Sequence, residues 1–399
     1  MDHYDVVVVG GGPSGLVAAR HAALAGARTL LVEARAESRD PIPCAGLVSP
    51  RTLTLLGASR ATILREVHAV TLHAPGGETA TLRSEEVKAL VLDRRGLEAE
   101  LRLLAASAGV DVLLGTRVVE TRPGWVHLAT ADKGRAVNVG VIIAADGPVS
   151  RVARSFSLPG AERLLNAVQA VVEGEAVSAD GVEVFLGRRV APGFFAWTVP
   201  AEKGRLRVGL ASPIGTELSP LLRSLLARTS GQLVSDVTGL IPIGAAPATS
   251  GNGIVVVGDA AGQVKPLSGG GIYPGGLCAQ IAGEIAAQAA LSGDTSAPSL
   301  AEYDRRWRAE IGEELHVGLA SHGALSLLSD DEIDAAVAAL AASPALCGFL
   351  AAEGDIDYPS RLLHPLLGRR DLQHALLSLA AALSGALPLR AASPYNPPA

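Results

Sequence analysis

The stretch "VVVVGGGPSGLVAARHAALAGARTLLVE" (residues 6–33) decides how this chain folds. Its uninterrupted run of β-branched residues, Asp5–Val9, predicts a buried parallel strand. Glycines follow at Gly10–Gly15, a helix is predicted over Leu16–Ala25, and Thr29–Glu33 is predicted to form the next strand. The pattern is typical of a βαβ unit of about 30 residues.

Gly10, Gly12 and Gly15 have the G-x-G-x-x-G spacing between that strand and helix. Glycine permits the tight turn, lets a pyrophosphate approach the backbone, and lets the helix pack closely on the strand. The helix N-terminus then offers N–H groups to the phosphates. Glu33 lies 23 residues after Gly10, where a carboxylate accepts hydrogen bonds from an adenosine ribose. These features predict a dinucleotide site, for NAD or FAD.

A second segment distinguishes an FAD site from an NAD site. "VVVGDAAGQVKPLSGGGI" places Asp259 after a buried strand and Gly269–Gly271 before another helix. Asp259 can bond a ribityl hydroxyl, and N–H groups at the helix start can stabilise negative charge on the flavin pyrimidine edge. A third element, "AADGPVS" (Ala144–Ser150), ends a strand beside the first unit. The three elements in this order favour FAD.

Composition excludes several classes of protein. The 399 residues are 48% hydrophobic and 19% charged, with a net charge of −6 and no long basic run, which argues against nucleic acid as a partner. Cys44, Cys278 and Cys347 are too scattered for a disulfide framework or a metal site. No secretory leader pattern precedes the first strand, so we expect a cytoplasmic setting, with peripheral membrane association as an alternative.

The chain is predicted to be an α/β protein with three parts. A discontinuous Rossmann-like FAD-binding domain is expected over 1–66, 84–158 and 243–292. An antiparallel-sheet substrate domain is expected over 67–83 and 159–242, and a helical C-terminal region over 293–399. Ser329 and Glu332 form a capping-box pattern, so the acidic residues around them are interpreted as a first helical turn. The apolar stretch Ala375–Leu387 is too short to span a bilayer and is interpreted as a buried or surface-lying helix.

At this point the sequence resembles the geranylgeranyl reductase family of FAD-dependent enzymes, within the aromatic-hydroxylase fold group. The resemblance covers residues 1 to about 315. It rests on these segments: "GGGPSG", "PCAGLVS", "VLDRRGLEAEL", "AADGPVS", "PGFFAWTVP", "GDAAGQVKPLSGGGIYPG" and "YDRRWRAEIGEEL".

The resemblance implies a set of FAD contacts. The pyrophosphate would lie at the glycine turn, the ribose at Glu33, and the flavin beside the Cys44 loop and the second glycine run. The implied cofactor residues are Gly10, Gly12, Ser14, Gly15, Glu33, Cys44, Ala45, Arg94, Val118, Asp259, Gly271 and Ile272. Arg94 has an alternative as a surface helix charge.

"PGFFAWTVP" is similar to the segment that lines the lipid tunnel in this family. Period-2 alternation puts Phe195, Trp197 and Val199 on one strand face, which implies substrate contacts for Phe195 and Trp197, with a plain sheet core as the alternative. The family's reaction implies protonation of an isolated C=C bond to a cation-like carbon and hydride delivery from flavin N5. Cys44 and Tyr273 are the catalytic candidates, and either could instead pack.

The sequence therefore predicts an FAD-dependent reductase that saturates a geranylgeranyl-type chain in a lipid, a prenyl diphosphate or a quinone. The alternative is a flavin-dependent monooxygenase or halogenase acting on an aromatic. The electron donor stays open between NAD(P)H and a ferredoxin-type protein, because no second G-x-G-x-x-G motif is present.

Overall fold

The computed structural model describes residues 2–37, 41–130, 133–174, 178–202, 204–229, 231–362, 369, 372 and 376–380. Of the predicted apolar stretch at 375–387, residues 376–380 are described and are helical. The rest of that stretch and the tail after Pro388 lie outside the described residues.

The strands form three sheets. Their bounds are β1 Asp2–Val9, β2 Thr29–Val32, β3 Leu47–Val48, β4 Ile63–Val67, β5 Ala69–His73, β6 Thr79–Arg83, β7 Ala89–Leu92, β8 Asp111–Leu113, β9 Arg117–Arg122, β10 Trp125–Ala129, β11 Gly134–Ala144, β12 Arg163–Gly174, β13 Gly181–Phe185, β14 Ala196–Pro200, β15 Arg205–Pro213, β16 Gly231–Ile243, β17 Ser250–Gly251 and β18 Ile254–Val256.

The helices lie against these sheets or follow them. Their bounds are α1 Pro13–Leu24, α2 Arg51–Leu56, α3 Arg94–Ser107, α4 Arg151–Ser155, α5 Leu218–Leu226, α6 Ile272–Ser292, α7 Ala297–Trp307, α8 Glu313–Leu327, α9 Asp330–Ala341 and α10 Pro344–Glu353. A π-helical turn over Arg308–Gly312 joins α7 to α8.

The first sheet is largely parallel and has β1 at its centre. Its order is β17-β18-β11-β1-β2-β8, and the β9–β10 hairpin is attached to β11. β1 pairs in parallel with both β2 and β11. Val6, Val7 and Val8 are fully buried because both faces of the sheet are covered, one by α1, α3 and α6 and the other by β10 and α4. This is why the strand is apolar without alternation.

The second sheet has the order β16-β12-β15-β14-β13-β5-β6 and is antiparallel except between β13 and β5. Helix α5 packs on one of its faces. β3, β7 and β4 form a small third sheet. The predicted fold class, a Rossmann-like unit with an antiparallel sheet and a helical C-terminal region, is confirmed.

Two groups of strands have no clear pattern in the sequence. Residues 34–66, which are interrupted by Pro41, Pro43 and Pro50, contain β3 and most of β4. β16 was not predicted, because its first half is exposed and polar and therefore lacks the apolar alternation that identifies a strand. The capping box at Ser329 and Glu332 is confirmed, since both reciprocal bonds are present at the start of α9.

Helices α1 and α6 cross at very short range. A Cβ atom added at Gly283 would lie 2.4 Å from the carbonyl oxygen of Ala18 and 2.8 Å from the nitrogen of Ala22. Only glycine allows this approach, since backbone atoms cannot rotate away as a side chain can. The contact holds the starts of both helices against the same edge of the parallel sheet.

We expect Gly283→Ala to lower the free energy of unfolding by about 1–3 kcal/mol, because overpacking a rigid backbone contact forces the two helices apart. Chemical denaturation followed by circular dichroism measures the change.

Gly348→Ala is the matched control for that variant. Gly348 also lies inside a helix, α10, but nothing lies within 4 Å of an added Cβ there. Alanine at this position is expected to be neutral or stabilising by up to about 1 kcal/mol. Equal effects of the two variants would contradict the packing explanation.

Candidate functional site

A cavity of about 690 Å³ lies where the parallel sheet meets the second sheet. Gly11, Glu33, Ala145 and Val257 line it, and each follows the carboxyl end of a strand of the parallel sheet. Parallel strands converge on one edge in this way, and ligands of open α/β sheets bind there. The wall includes these predicted residues: Gly12, Ser14, Gly15, Glu33, Cys44, Ala45, Arg94, Phe195, Trp197, Asp259, Gly271 and Ile272.

The first glycine turn has one open side and one closed side. An added Cβ at Gly15 would lie 1.9 Å from the oxygen of Gly10, and one at Gly10 would lie 2.2 Å from the oxygen of Ala145. At Gly12, nothing lies within 4 Å of an added Cβ. Gly10 and Gly15 therefore serve helix–sheet packing, while Gly12 leaves space at the start of α1 for a ligand to approach the backbone.

Glu33 organises the turn from the end of β2. Its Oε2 accepts from the backbone N–H of Gly11 at 2.7 Å, and its Oε1 accepts from the N–H of Arg35 at 2.8 Å. The two bonds fix the carboxylate at the cavity wall. A carboxylate has further lone pairs for ribose hydroxyls.

Asp259 is brought to the start of α1 by two further glycines. Added Cβ atoms at Gly258 and Gly275 would each lie 2.5 Å from Oγ of Ser14. The turn that carries Asp259 and the first turn of α6 therefore both pack on Ser14. Burial raises the pKa of Asp259 to about 6, although Arg94 nearby lowers it.

Arg94 opens α3, with Asp93 as the N-cap residue. The side chain is 8% exposed and lines the cavity. Its Nη2 donates to Glu98 Oε1 at 3.1 Å, but its buried Nε has no hydrogen-bond partner among the described residues. An unpartnered buried donor at a cavity wall is the complement of a phosphate oxygen. Burial lowers the pKa of Arg94, and Cys44, Glu98 and Asp259 outweigh that effect and raise it.

The loop that carries Cys44 is held by two residues of the second sheet that the sequence analysis missed. Gln169 Nε2 donates to the oxygen of Cys44 at 3.2 Å, and Arg207 Nη1 donates to the oxygen of Ala45 at 2.8 Å. Both residues are buried. The signal was available: each is the one polar residue in a short apolar run, 167–172 for Gln169 and 206–211 for Arg207. A buried polar group needs a partner.

The same Gln169 also orients the aromatic wall. Its Oε1 accepts from Trp197 Nε1 at 3.3 Å. Gly209, on the neighbouring strand, leaves room for the indole, since an added Cβ would lie 2.5 Å from the ring. Phe195 meets Trp197 edge to face at 5.9 Å, and both rings line the cavity together with Val199.

Three of the predicted residues, Gly10, Val118 and Tyr273, are not among the described residues that line the cavity. Gly10 packs against Gly15 and Ala145. Val118 packs against the core on the far face of the parallel sheet. Tyr273 is buried in α6, and its hydroxyl is bonded to that of Tyr358 at 2.9 Å. Asp146, the aspartate of the "AADGPVS" segment, uses its carboxylate within and just after that segment. The carboxylate accepts from Ser150 Oγ at 2.5 Å and from the N–H of Arg151 at 2.8 Å.

The opposite side of the cavity is closed by residues 350–362, which we term the C-terminal cover. Leu350, Gly354, Ile356 and Leu362 line the cavity from this side. The cover is attached mainly by polar contacts to distant segments, namely Lys88 to the oxygen of Ala352, Arg51 to Asp355, Lys265 to Asp357 and Tyr273 to Tyr358.

Comparisons with known proteins agree with this geometry. A family model described as an FAD binding domain matches residues 3–213. The chain is 36% identical to digeranylgeranylglycerophospholipid reductase 2 of Methanothermobacter thermautotrophicus, over 84% of this chain and 91% of that protein. It is 33% identical to digeranylgeranylglycerophospholipid reductase of Methanothrix thermoacetophila, over 83% of this chain and 89% of that protein.

Among solved structures, a geranylgeranyl bacteriochlorophyll reductase-like protein of Thermoplasma acidophilum has a TM-score of 0.80 and 27% identity, covering 94% of this chain and all of that one. The predicted cofactor, FAD, is confirmed by the family match. The cavity fits it: Gly12 leaves space at the helix start, and the buried Nε of Arg94 has no hydrogen-bond partner within the described part of the chain.

We expect Arg94→Met to weaken FAD binding by about 10–100-fold, because a charge-assisted hydrogen bond contributes about 1.5–3 kcal/mol. Fluorescence titration of the apoprotein with FAD measures the affinity. The control is Arg95→Met, at the next position of the same helix, where the side chain is exposed and outside the cavity. An equal loss in both variants would contradict a specific role for Arg94.

The raised pKa of Asp259 predicts a pH dependence in the apoprotein. A carboxyl whose folded-state pKa is about 6 instead of 3.8 holds its proton more tightly when folded. Stability is then lost as the pH rises from about 4 to about 6, and the loss persists above that range. We expect Asp259→Asn to raise the stability of the apoprotein at pH 7.5 by up to about 3 kcal/mol and to bring little gain near pH 4.

Thermal unfolding of the apoprotein across this pH range provides the measurement. Asp146→Asn is the control with the opposite sign, because the carboxylate of Asp146 accepts three hydrogen bonds at the start of α4. It should lower stability at pH 7.5 by about 1 kcal/mol. If Asp259→Asn changed the stability equally at every pH, the raised pKa of Asp259 could not be the cause.

Proposed function

This chain belongs to the digeranylgeranylglycerophospholipid reductase family of FAD-dependent enzymes, and on that premise we propose that it saturates isolated C=C bonds of the geranylgeranyl chains of a membrane lipid. The observation that carries the proposal is the composition of the cavity. One end has the glycine turn, Glu33 and Arg94, while the other is walled by Phe195, Trp197 and aliphatic side chains of the second sheet. A dinucleotide fits the first end and a long hydrocarbon the second.

Reduction of an unpolarised C=C bond needs a proton on one carbon and a hydride on the other. Bound FAD, when reduced, supplies the hydride. The protein's own contribution is to exclude water, which would trap a cation-like carbon, and to offer ring faces that stabilise positive charge. Trp197 suits this role because its Nε1–H is bonded to Gln169, which leaves the indole in one orientation at the wall.

Cys44 is the proposed proton-handling group. Its Sγ accepts from the backbone N–H of Gly46 at 3.3 Å, and the residue lines the cavity beside Arg94. A thiol at the cavity wall can donate its proton to a substrate carbon held beside it. Tyr273 is a weaker candidate, because its hydroxyl is bonded to Tyr358 and burial raises its pKa well above the ordinary value.

The electron donor and the membrane surface are further parts of this proposal. NAD(P)H and a ferredoxin-type protein are the two donor classes, and adding each to the oxidised enzyme without oxygen separates them by which one bleaches the flavin. No single described helix is long and apolar enough to cross a bilayer, whereas α9 and α10, bent by 90°, pass that test only as a pair. Co-sedimentation with liposomes of the substrate lipid tests peripheral binding, and absence of the protein from the pellet would end that part of the proposal.

The decisive experiment reduces the holoenzyme with dithionite without oxygen and then adds a geranylgeranyl glycerol ether phospholipid. Reoxidation of the flavin with a gain of two hydrogen atoms per double bond, seen by mass spectrometry, supports the proposal. Oxygen-dependent NAD(P)H consumption with an aromatic substrate, and no change in the lipid, would replace it with the monooxygenase alternative.

Within that assay we expect Trp197→Phe to reduce the second-order rate of lipid-dependent flavin reoxidation about tenfold, equal to about 1.4 kcal/mol of transition-state stabilisation. Dithionite reduction of the flavin should be unchanged. Trp125→Phe is the control, since Trp125 lies on β10, outside the cavity wall. Similar rates for both variants would mean that the aromatic face of Trp197 does not serve the reaction.

A further inference from the structure

Lys265 is a cavity-lining cation with no part in the site described so far. It lies in the loop between the Asp259 turn and α6, and its backbone N–H donates to the oxygen of Gly270 at 3.2 Å. Its side chain lies along the second glycine run, because an added Cβ at Gly270 would be 2.9 Å from Cε and 3.5 Å from Nζ. The ammonium group is therefore held close to the turn that opens α6.

The counter-ion of Lys265 comes from the C-terminal cover. Lys265 Nζ donates to Asp357 Oδ1 at 2.8 Å and to the oxygen of Ile356 at 3.0 Å. The side chain of Asp357 is fully buried and that of Lys265 is 12% exposed. The second oxygen, Asp357 Oδ2, has no hydrogen-bond partner among the described residues, and the nearest recorded cation, Arg51 Nε, is 3.9 Å away.

A buried pair with an unsatisfied oxygen is a poor device for stability alone. Removing two charges from water costs several kcal/mol, which the mutual attraction offsets only when all hydrogen-bonding positions are satisfied. The ammonium group of Lys265, held beside the second glycine run, has a different consequence. A positive charge within a few ångströms of a partly buried site favours an anion in that site.

We propose that Lys265 is a positioning residue that favours the reduced, negatively charged form of FAD, and that Asp357 limits its effect. The glycine run and the start of α6 face the cavity that takes FAD, so the ammonium adds a full charge to the partial charge of the helix end. The inference rests on FAD in this cavity and not on the identity of the lipid. It assigns to the C-terminal cover an electrostatic role in addition to closing the cavity.

The test is an anaerobic redox titration of the holoenzyme, followed by flavin absorbance and without any lipid. Lys265→Met should lower the preference for reduced over oxidised FAD about tenfold, which is about 30 mV for a two-electron couple. Asp357→Asn should raise that preference. Lys265→Arg, which keeps the charge, should stay within about threefold of the unmodified protein.

Lys88→Met is the matched control. Lys88 also lines the cavity and also contacts the cover, through the oxygen of Ala352. It immediately precedes β7, whereas Lys265 lies along the glycine run. Its titration should match that of the unmodified protein. Melting temperature and FAD content are measured for every variant. If Asp357→Asn does not fold, the difference in flavin potential between Lys265→Met and Lys265→Arg decides the test.

Two results would overturn the proposal. One is an equal flavin potential in Lys265→Met and Lys265→Arg, and the other is a shift of the potential in the same direction in Lys265→Met and Asp357→Asn. Because no lipid enters the titration, failure of the lipid assay would leave this result standing. Failure of the titration would likewise leave lipid reduction untouched.

Discussion

The structure depends on the close approach of neighbouring chain segments at a few glycines. Gly15 against Gly10, Gly275 and Gly258 against Ser14, and Gly283 against Ala18 bring α1 and α6 together at one edge of the parallel sheet. At each of these contacts a Cβ atom would overlap an atom that is already in place. The consequence is chemical: the open N-terminus of α1, the carboxylate of Asp259 and the second glycine run end up around one cavity.

A second constraint joins the dinucleotide end of the cavity to its apolar end. Gln169 uses both ends of its amide, donating to the Cys44 loop and accepting from Trp197, and Arg207 fastens the same loop from the next strand. The Cys44 loop at the dinucleotide end and the aromatic ring at the apolar end are thus held in one network. Such a network works only when it is fully satisfied, which explains why two polar side chains lie deep in an apolar sheet.

The cover over the cavity is attached in a different manner. Its contacts to α2, α6 and the Lys265 loop are ion pairs and hydroxyl bonds, with Arg51 and Arg361 also stacked on Tyr358. Polar contacts of this kind exchange with water at lower cost than a packed core does. A reductase of membrane lipids needs a cavity that is dry during reaction and still reachable by a long chain, and this attachment suits both needs.

The sequence by itself determined the βαβ unit, the FAD motif, the positions of Glu33, Arg94 and Asp259, and the family, because these depend on local spacing and on residues whose conformation or charge has few alternatives. The tertiary structure alone decided which residues share the cavity wall. It put Tyr273 against Tyr358, left Val118 in the core, and added Gln169, Arg207, Lys265 and Asp357. The Lys265–Asp357 pair spans 92 residues, so it arises only when distant segments pack and each buried polar group must find its partner.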